Sequence, residues 1–196
     1  MTLPPTPPSP SSASDKTILA RSIVLVGMMG SGKSSVGRKL AAHLSLPFAD
    51  SDHEIAQAAG CTIAQFFERY GEAEFRAGER RVIARLLERP GIVLATGGGA
   101  FMQPETRALI QTTATSVWLK VDPAILTQRV GRRHDRPILQ RFTNPAEGIA
   151  ALLAEREPVY AQAHITVAIG DQAIETTVAS VVQALSTYAA AAETAK

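Results

Sequence analysis

The residues with the clearest chemical capacity form a glycine-rich segment near the amino-terminus. Residues 27–34 read GMMGSGKS and match the pattern G-x-x-x-x-G-K-[ST]. Glycines let backbone N–H groups turn inward around phosphate oxygens, while Lys33 can reach the β- and γ-phosphates and the Ser34 hydroxyl can bind Mg²⁺. This segment, the phosphate loop, predicts ATP binding. The predicted nucleotide-binding residues here are Gly30, Ser31, Gly32, Lys33, Ser34 and Ser35.

Two carboxylates, Asp50 and Asp52, follow a short apolar segment. Residues two apart in an extended chain face the same side, so both side chains would face one cleft. Beside a triphosphate, one carboxylate would lie near the magnesium ion and the other near the hydroxyl that accepts the phosphate. A solvated polar turn is the alternative interpretation.

A run of three glycines, Gly97, Gly98 and Gly99, follows a buried apolar segment. A strand-to-helix turn needs fewer glycines than this. The run therefore predicts that a ligand closely approaches bare backbone, with a simple turn as the alternative.

Arginines are concentrated between the predicted helices that flank residues 129–143. This segment contains Arg129, Arg132, Arg133, Arg136 and Arg141. Phosphoryl transfer needs positive charge on the transferring group and exclusion of water, so the segment predicts a mobile lid. A solvated charged loop is the alternative. Arg76 and Arg156 lie in predicted helices near other charges, for which spacing alone suggests surface ion pairs.

Strand and helix signals alternate along the chain. Apolar runs predict five strands, at residues 23–26, 48–50, 92–95, 117–121 and 165–169. Helices between them imply an α/β fold: a five-stranded parallel sheet with helices on both faces. Ligands of such sheets bind beyond the carboxyl ends of the strands, so the phosphate loop, the aspartates and the glycine run should converge on one cleft. Pro158 should end or kink the helix that contains it.

Composition excludes several classes of protein. The 196 residues suit one domain, at 17–190, with a disordered Pro/Ser-rich head at 1–16 and a frayed tail at 191–196. A net charge of +2 is too mild for a nucleic-acid binder, and no apolar stretch is long enough to span a membrane. The single cysteine, Cys61, cannot form an internal disulfide, which suits the cytoplasm. We expect a monomer.

The motifs together resemble those of the shikimate kinase family. The shared segments, in order from about Ser22 to Tyr160, are GMMGSGKSSVG, DSD, the FR of GEAEFRAGE, TGGGAF, RPIL and EREPVY. The resemblance implies transfer of the ATP γ-phosphate to the 3-hydroxyl of shikimate, a step of aromatic amino-acid biosynthesis. It also implies a P-loop, nucleoside-monophosphate-kinase-like fold with a lid.

The same resemblance implies roles for individual residues. Lys33, Asp52 and Arg136 would be catalytic, with Asp52 bonded to the acceptor hydroxyls and Arg136 reaching the transferring phosphate. Ser34 and Asp50 would hold Mg²⁺. The remaining implied contacts are Arg129 near the adenine, Arg76 and Arg156 on the substrate carboxylate, and Gly97, Gly98 and Gly99 along the substrate pocket. Residues 168–173 lack the arginine that family members often place against the adenine.

Two rival interpretations remain at this point. A kinase of the same fold could use another acceptor, such as gluconate or a nucleotide. A catalytically silent ATP-sensing module is a second rival, but it should have lost Lys33, Asp52 or Arg136, and the chain retains all three.

Overall fold

The computed structural model describes residues 21–88, 90–131 and 144–194. Within them, five parallel strands form one sheet in the order β2-β3-β1-β4-β5. The strands are β1 (Ser22–Val26), β2 (Phe48–Asp50), β3 (Val93–Ala95), β4 (Ala114–Val121) and β5 (Ile165–Ile169). The predicted five-stranded parallel α/β architecture is confirmed.

Helices connect successive strands. They are α1 (Lys33–Leu44), α2 (Ser51–Ala59), α3 (Ile63–Leu87), α4 (Pro104–Thr113), α5 (Pro123–Gly131), α6 (Pro145–Tyr160) and α7 (Ile174–Thr194). A short 3₁₀ turn, Ala100–Met102, precedes α4. Thr62 and Gln65 form a capping box at the start of α3, and Gly71 (φ 78°, ψ 175°) breaks α3 into two helical parts. No helix in the described ranges is long and apolar enough to cross a membrane.

The strand order explains how the sheet is covered. The connection from β1 to β2 runs one way along the sheet and the later connections run the other way. Right-handed crossovers then put α1 on one face and α3, α4 and α6 on the opposite face. The last helix, α7, packs on α1. Strands β1 and β3 are wholly buried between these layers, whereas the edge strand β5 alternates buried and exposed residues.

The chain around the two aspartates differs from the extended segment that we predicted. Asp50 ends β2 and is the N-cap of α2, and Asp52 already lies in the helix. The Asp50 carboxylate accepts hydrogen bonds from the backbone N–H groups of Asp52 and His53, at 3.1 and 3.5 Å. Those N–H groups have no partner within the helix, so an acidic side chain at this position favours helix initiation. The extended-chain argument was wrong here.

Strands β1 and β3 begin within one residue of the predicted positions, and other boundaries differ more from the sequence predictions. Strand β4 begins at Ala114, three residues before the predicted start. Helix α6 passes through Pro158 and ends at Tyr160, because the turn is closed by the Ala161 N–H, which donates to the Glu157 carbonyl. Helix α7 continues to Thr194, so residues 191–194 are helical where we expected a frayed tail. The head predicted at 1–16 and residues 132–143 of the predicted lid lie outside the described residues.

Candidate active site

The phosphate loop connects β1 to α1 at the carboxyl edge of the sheet. Gly30 and Gly32 have φ values of 79° and 88°, in the left-handed region that side chains disfavour. Gly32 is also the N-cap of α1, and no side chain caps this end of the helix. The first N–H groups of α1 are therefore directed at the loop, where the helix dipole also attracts anions.

Lys33 folds back over the phosphate loop. Its ammonium donates hydrogen bonds to the carbonyls of Gly27 (2.9 Å) and Met28 (2.8 Å) and to Ser31 Oγ (3.4 Å). The side chain is buried, so these contacts hold a positive charge at the loop. A phosphate oxygen is a stronger partner for ammonium than a neutral carbonyl, which makes the position suitable for a phosphate group.

Ser34 and Asp50 meet beside the phosphate loop. The Ser34 hydroxyl donates to Asp50 Oδ2 over 2.5 Å. A hydroxyl and a carboxylate are oxygen ligands that suit Mg²⁺, which usually takes one or two protein carboxylates together with substrate phosphates and water. Among the described residues, no group of three or more His, Cys, Asp or Glu side chains could hold a metal ion. The donor set therefore fits a magnesium ion shared with a nucleotide.

The glycine run packs against three functional side chains. A Cβ at Gly97 would lie 2.6 Å from Asp52 Oδ1 and 2.9 Å from Glu79 Oε1, and one at Gly99 would lie 2.7 Å from Arg76 Cζ. Ordinary contact begins at 3.4 Å, so a side chain at either position would displace the neighbouring carboxylates or guanidinium. The run therefore does more than form a turn, because its missing side chains let a carboxylate and a guanidinium contact bare backbone.

Gly98 and the Gly97 N–H fix the run to its surroundings. A Cβ at Gly98 would be 3.2 Å from the Met29 N atom of the phosphate loop. The Gly97 N–H donates to Ser51 Oγ over 3.1 Å. The glycine run thus lies directly between the phosphate loop and the start of α2.

The three predicted segments converge on one cleft of about 520 Å³. Its lining residues are Met29, Gly30, Gly32, Lys33, Ser34, Ser35, Asp50, Asp52, Thr96, Gly97, Gly98 and Arg129. The phosphate loop and both aspartates therefore share a single cleft, as the positions of the strand ends predicted.

A smaller cavity of about 250 Å³ adjoins the phosphate loop on the side of β5. Arg129 lines both this cavity and the main cleft. Gln172, which we did not single out from the sequence, lines the smaller cavity and donates to Thr177 Oγ1 over 3.2 Å. Its amide stands in the stretch that lacks the expected arginine, and only its position after β5 could have identified it.

Arg76 is held in place by two glutamates of its own helix. Its Nη1 donates to Glu79 Oε2 over 2.7 Å, and its Nη2 donates to Glu72 Oε1 over 3.2 Å. Glu79 is fully buried, and burial raises the pKa of its carboxyl although the Arg76 charge opposes this. The pair is therefore not the surface ion pair suggested by spacing alone. The sequence analysis missed Glu79, although its three-residue spacing from Arg76 was a usable signal.

Arg156 lies on α6 and is only 8% exposed. Its buried Nε has no hydrogen-bond partner among the described residues. A buried guanidinium with an unused donor is costly unless a ligand completes it, which argues against a surface ion pair here too.

Not every candidate lies on the main cleft. Arg76 lines a separate cavity of about 590 Å³ between α3 and α4, and the lining of the main cleft includes neither Arg76 nor Arg156. Gly99 contacts the Arg76 guanidinium and directly follows Gly98, which lines the cleft of about 520 Å³. Arg136 lies outside the described residues.

Comparisons with known proteins point to one family. The shikimate kinase family model matches residues 29–186. The shikimate kinase of Bradyrhizobium diazoefficiens is 59% identical over 152 residues, covering 78% of this chain and 73% of the relative. That of Paramagnetospirillum magneticum is 51% identical over 170 residues, covering 87% of each chain.

Solved structures agree with the sequence comparison. The shikimate kinase of Acinetobacter baumannii, in complex with shikimate, superposes with a TM-score of 0.80 at 38% identity, over 87% of this chain and 95% of that chain. A gluconokinase of Sinorhizobium meliloti superposes with a TM-score of 0.56 at 21% identity, over 91% of this chain and 98% of that one. The second similarity shows a shared fold alone.

Proposed function

The chain belongs to the shikimate kinase family, and on that premise we propose that its cleft transfers the γ-phosphate of ATP to the 3-hydroxyl of shikimate. The observation that carries this proposal is the meeting of two half-sites. The phosphate loop and the Asp52 carboxylate line the same cleft, and the glycine run separates them by no more than a bare backbone.

In the donor half, the chain's own groups bind and orient the nucleotide. Backbone N–H groups of Gly30 to Ser35 surround the β- and γ-phosphates, and the Lys33 ammonium exchanges its carbonyl partners for phosphate oxygens. Arg129 and Gln172 line the smaller cavity, which we assign to the adenosine end of ATP. The Gln172 amide can donate and accept hydrogen bonds, so it can take the place of the arginine that is missing from residues 168–173.

In the acceptor half, Asp52 orients the hydroxyl that attacks. The transition state of phosphoryl transfer is loose, so positioning and charge contribute more than proton abstraction. Arg76, fixed by Glu72 and Glu79, and Arg156, whose Nε has no partner among the described residues, bind the carboxylate of the acid substrate.

Ser34 and Asp50 would hold Mg²⁺, which supplies charge neutralisation on the phosphates when bound. We place Arg136 on the lid, where its guanidinium would contact the transferring phosphate group and help exclude water. We also propose that the protein acts as a monomer in the cytoplasm and binds no nucleic acid.

The rival within the same fold is a kinase for gluconate, an acid that also carries hydroxyl groups. A substrate panel tests the proposal against this rival. Purified protein with ATP and Mg²⁺ should release ADP in the presence of shikimate and not of gluconate, and Asp52→Asn should abolish the shikimate reaction without changing ATP binding. Turnover with gluconate but not with shikimate would refute the proposal.

The lid role has its own test. Arg136→Ala should lower kcat by about 10³ to 10⁵, the range for arginines that stabilise phosphoryl-transfer transition states. Arg81→Ala is the matched control, because Arg81 lies on the exposed side of α3 and, among the described residues, pairs with the exposed Glu74. A near-normal kcat for Arg136→Ala would remove Arg136 from the mechanism.

A further inference from the structure

Tyr160, the last residue of α6, lies where the two half-sites meet. Its side chain is fully buried, and its hydroxyl donates to the Gly98 carbonyl oxygen. Its ring is 5.9 Å from the ring of Trp118. Trp118 in turn packs on the phosphate loop, since a Cβ at Gly27 would lie 3.2 Å from Trp118 Cδ1. The Tyr160 side chain therefore contacts the glycine run directly and the phosphate loop through the Trp118 ring.

The hydroxyl of Tyr160 is a donor at every working pH. Burial raises its pKa to about 12, although the Arg156 charge, a hydrogen bond from the Arg156 side chain and the Arg76 charge act in the opposite direction. Both arginines that we assign to the substrate carboxylate therefore lie close enough to Tyr160 to affect its ionisation. The hydrogen bond to Gly98 is a fixed part of this arrangement rather than a switch.

Peptide geometry carries the effect of that bond to the substrate side. The peptide between Gly98 and Gly99 is trans, so its C=O and N–H point in opposite directions. Holding the Gly98 carbonyl against Tyr160 thus sets the direction of the Gly99 N–H. Within the described part of the chain, this N–H donates to no other group. Gly99 is also the residue that contacts the Arg76 guanidinium.

We propose that Tyr160 is a positioning residue for the acid substrate: its hydroxyl holds the Gly98–Gly99 peptide so that the Gly99 N–H and Arg76 address the same carboxylate. This role rests on the proposed function. The Tyr160 ring meets the phosphate loop through the Trp118 ring, a contact that phenylalanine preserves, and the hydroxyl meets that loop through Gly98, whereas Gly99 and Arg76 lie on the acceptor side. Loss of the hydroxyl should therefore affect the two substrates unequally.

Tyr160→Phe tests this prediction through separate KM values. The KM for shikimate should rise about tenfold, the usual effect of losing one hydrogen bond, while the KM for ATP stays within about twofold. A purely structural role would reduce the folded fraction, which lowers the apparent kcat and leaves both KM values unchanged. The ratio of the KM for shikimate to the KM for ATP can therefore be interpreted even if the variant is less stable.

Tyr188→Phe is the matched control. Tyr188 is a partly buried tyrosine of α7 whose ring centroid lies 5.7 Å from that of His164. Removal of its hydroxyl should change neither KM value. Trp118 is the single tryptophan of the chain, so its fluorescence can report the Kd for shikimate without turnover. An unchanged KM and Kd for shikimate in Tyr160→Phe, or an equal rise in both KM values, would overturn the proposed role. Wild-type protein that does not turn over shikimate would instead overturn the proposed function.

Discussion

The close approach of the Asp52 carboxylate to the backbone of Gly97 allows the sharpest test of the acceptor site, by substitution of Gly97. In Gly97→Ala the new methyl group would start 2.6 Å from Asp52 Oδ1, whereas ordinary contact begins at 3.4 Å. The carboxylate oxygen must therefore withdraw by about 0.8 Å, the difference between these two distances. A displacement of about 1 Å at a reacting centre can cost roughly 10²-fold in rate. We expect kcat with shikimate to fall by about that factor, which corresponds to about 2.7 kcal/mol.

The assay is steady-state ADP release with both substrates varied. The three atoms nearest to the new methyl group belong to Asp52 and Glu79 and not to the phosphate loop, so the KM for ATP should stay within about twofold. Gly99→Ala provides a contrast within the same run. There the methyl group would displace the Arg76 guanidinium rather than Asp52, so the KM for shikimate should rise more than kcat falls.

Gly78→Ala is the control for this series. Gly78 lies in α3, near both Arg76 and Glu79 in sequence, but a Cβ there would find its nearest neighbour, Arg81 Nη2, at 3.9 Å. This variant should keep wild-type kinetics and gain stability, since alanine favours a helix over glycine by about 0.5–1 kcal/mol. A kcat for Gly97→Ala within about threefold of wild type would contradict the argument, because 0.8 Å of displacement could not then matter.

Two further variants test a buried arginine and a partly buried histidine. Arg156→Met should raise the KM for shikimate at least about tenfold without loss of thermal stability, because it removes a buried guanidinium whose Nε has no partner; a lower Tm with an unchanged KM would contradict this. Burial and the Arg21 charge lower the pKa of His164 below its usual 6.5, and its Nδ1 accepts a hydrogen bond from the Ser116 N–H. The unfolded chain therefore takes up a proton first, so stability should fall as pH falls below 6.5. His164→Gln should flatten the Tm profile between about pH 5 and 7.5, and an unchanged slope would rule out His164 as its source.

The local chemistry of this protein could be predicted from its sequence because it depends on neighbours in the chain. The phosphate loop needs glycines, Lys33 and Ser34 at fixed offsets, and the capping box at Thr62 needs only Gln65 three residues later. Apolar runs bounded by glycine or polar residues identified all five strands. The rule that ligands bind beyond strand carboxyl ends then placed the cleft.

Other features could not be inferred locally. The local sequence allows residues 50–52 to be either extended or the start of a helix. In the tertiary structure Asp50 is the N-cap of α2, and its carboxylate also accepts a hydrogen bond from Ser34. Glu79 and Tyr160 end the segments GEAEFRAGE and EREPVY, and Gln172 follows β5, but these local positions do not reveal the burial of Glu79, the bond from Tyr160 to Gly98 or the cavity beside Gln172.

The glycine run shows most clearly what the sequence predicts and what only the fold decides. Its three residues in a row signalled that backbone would be closely approached, and the family resemblance implied a substrate. Only the fold shows what approaches: Asp52 at Gly97, the phosphate loop at Gly98 and Arg76 at Gly99. The reason is physical, since an absent side chain leaves space on every side, and only the packing of distant elements decides which groups occupy that space.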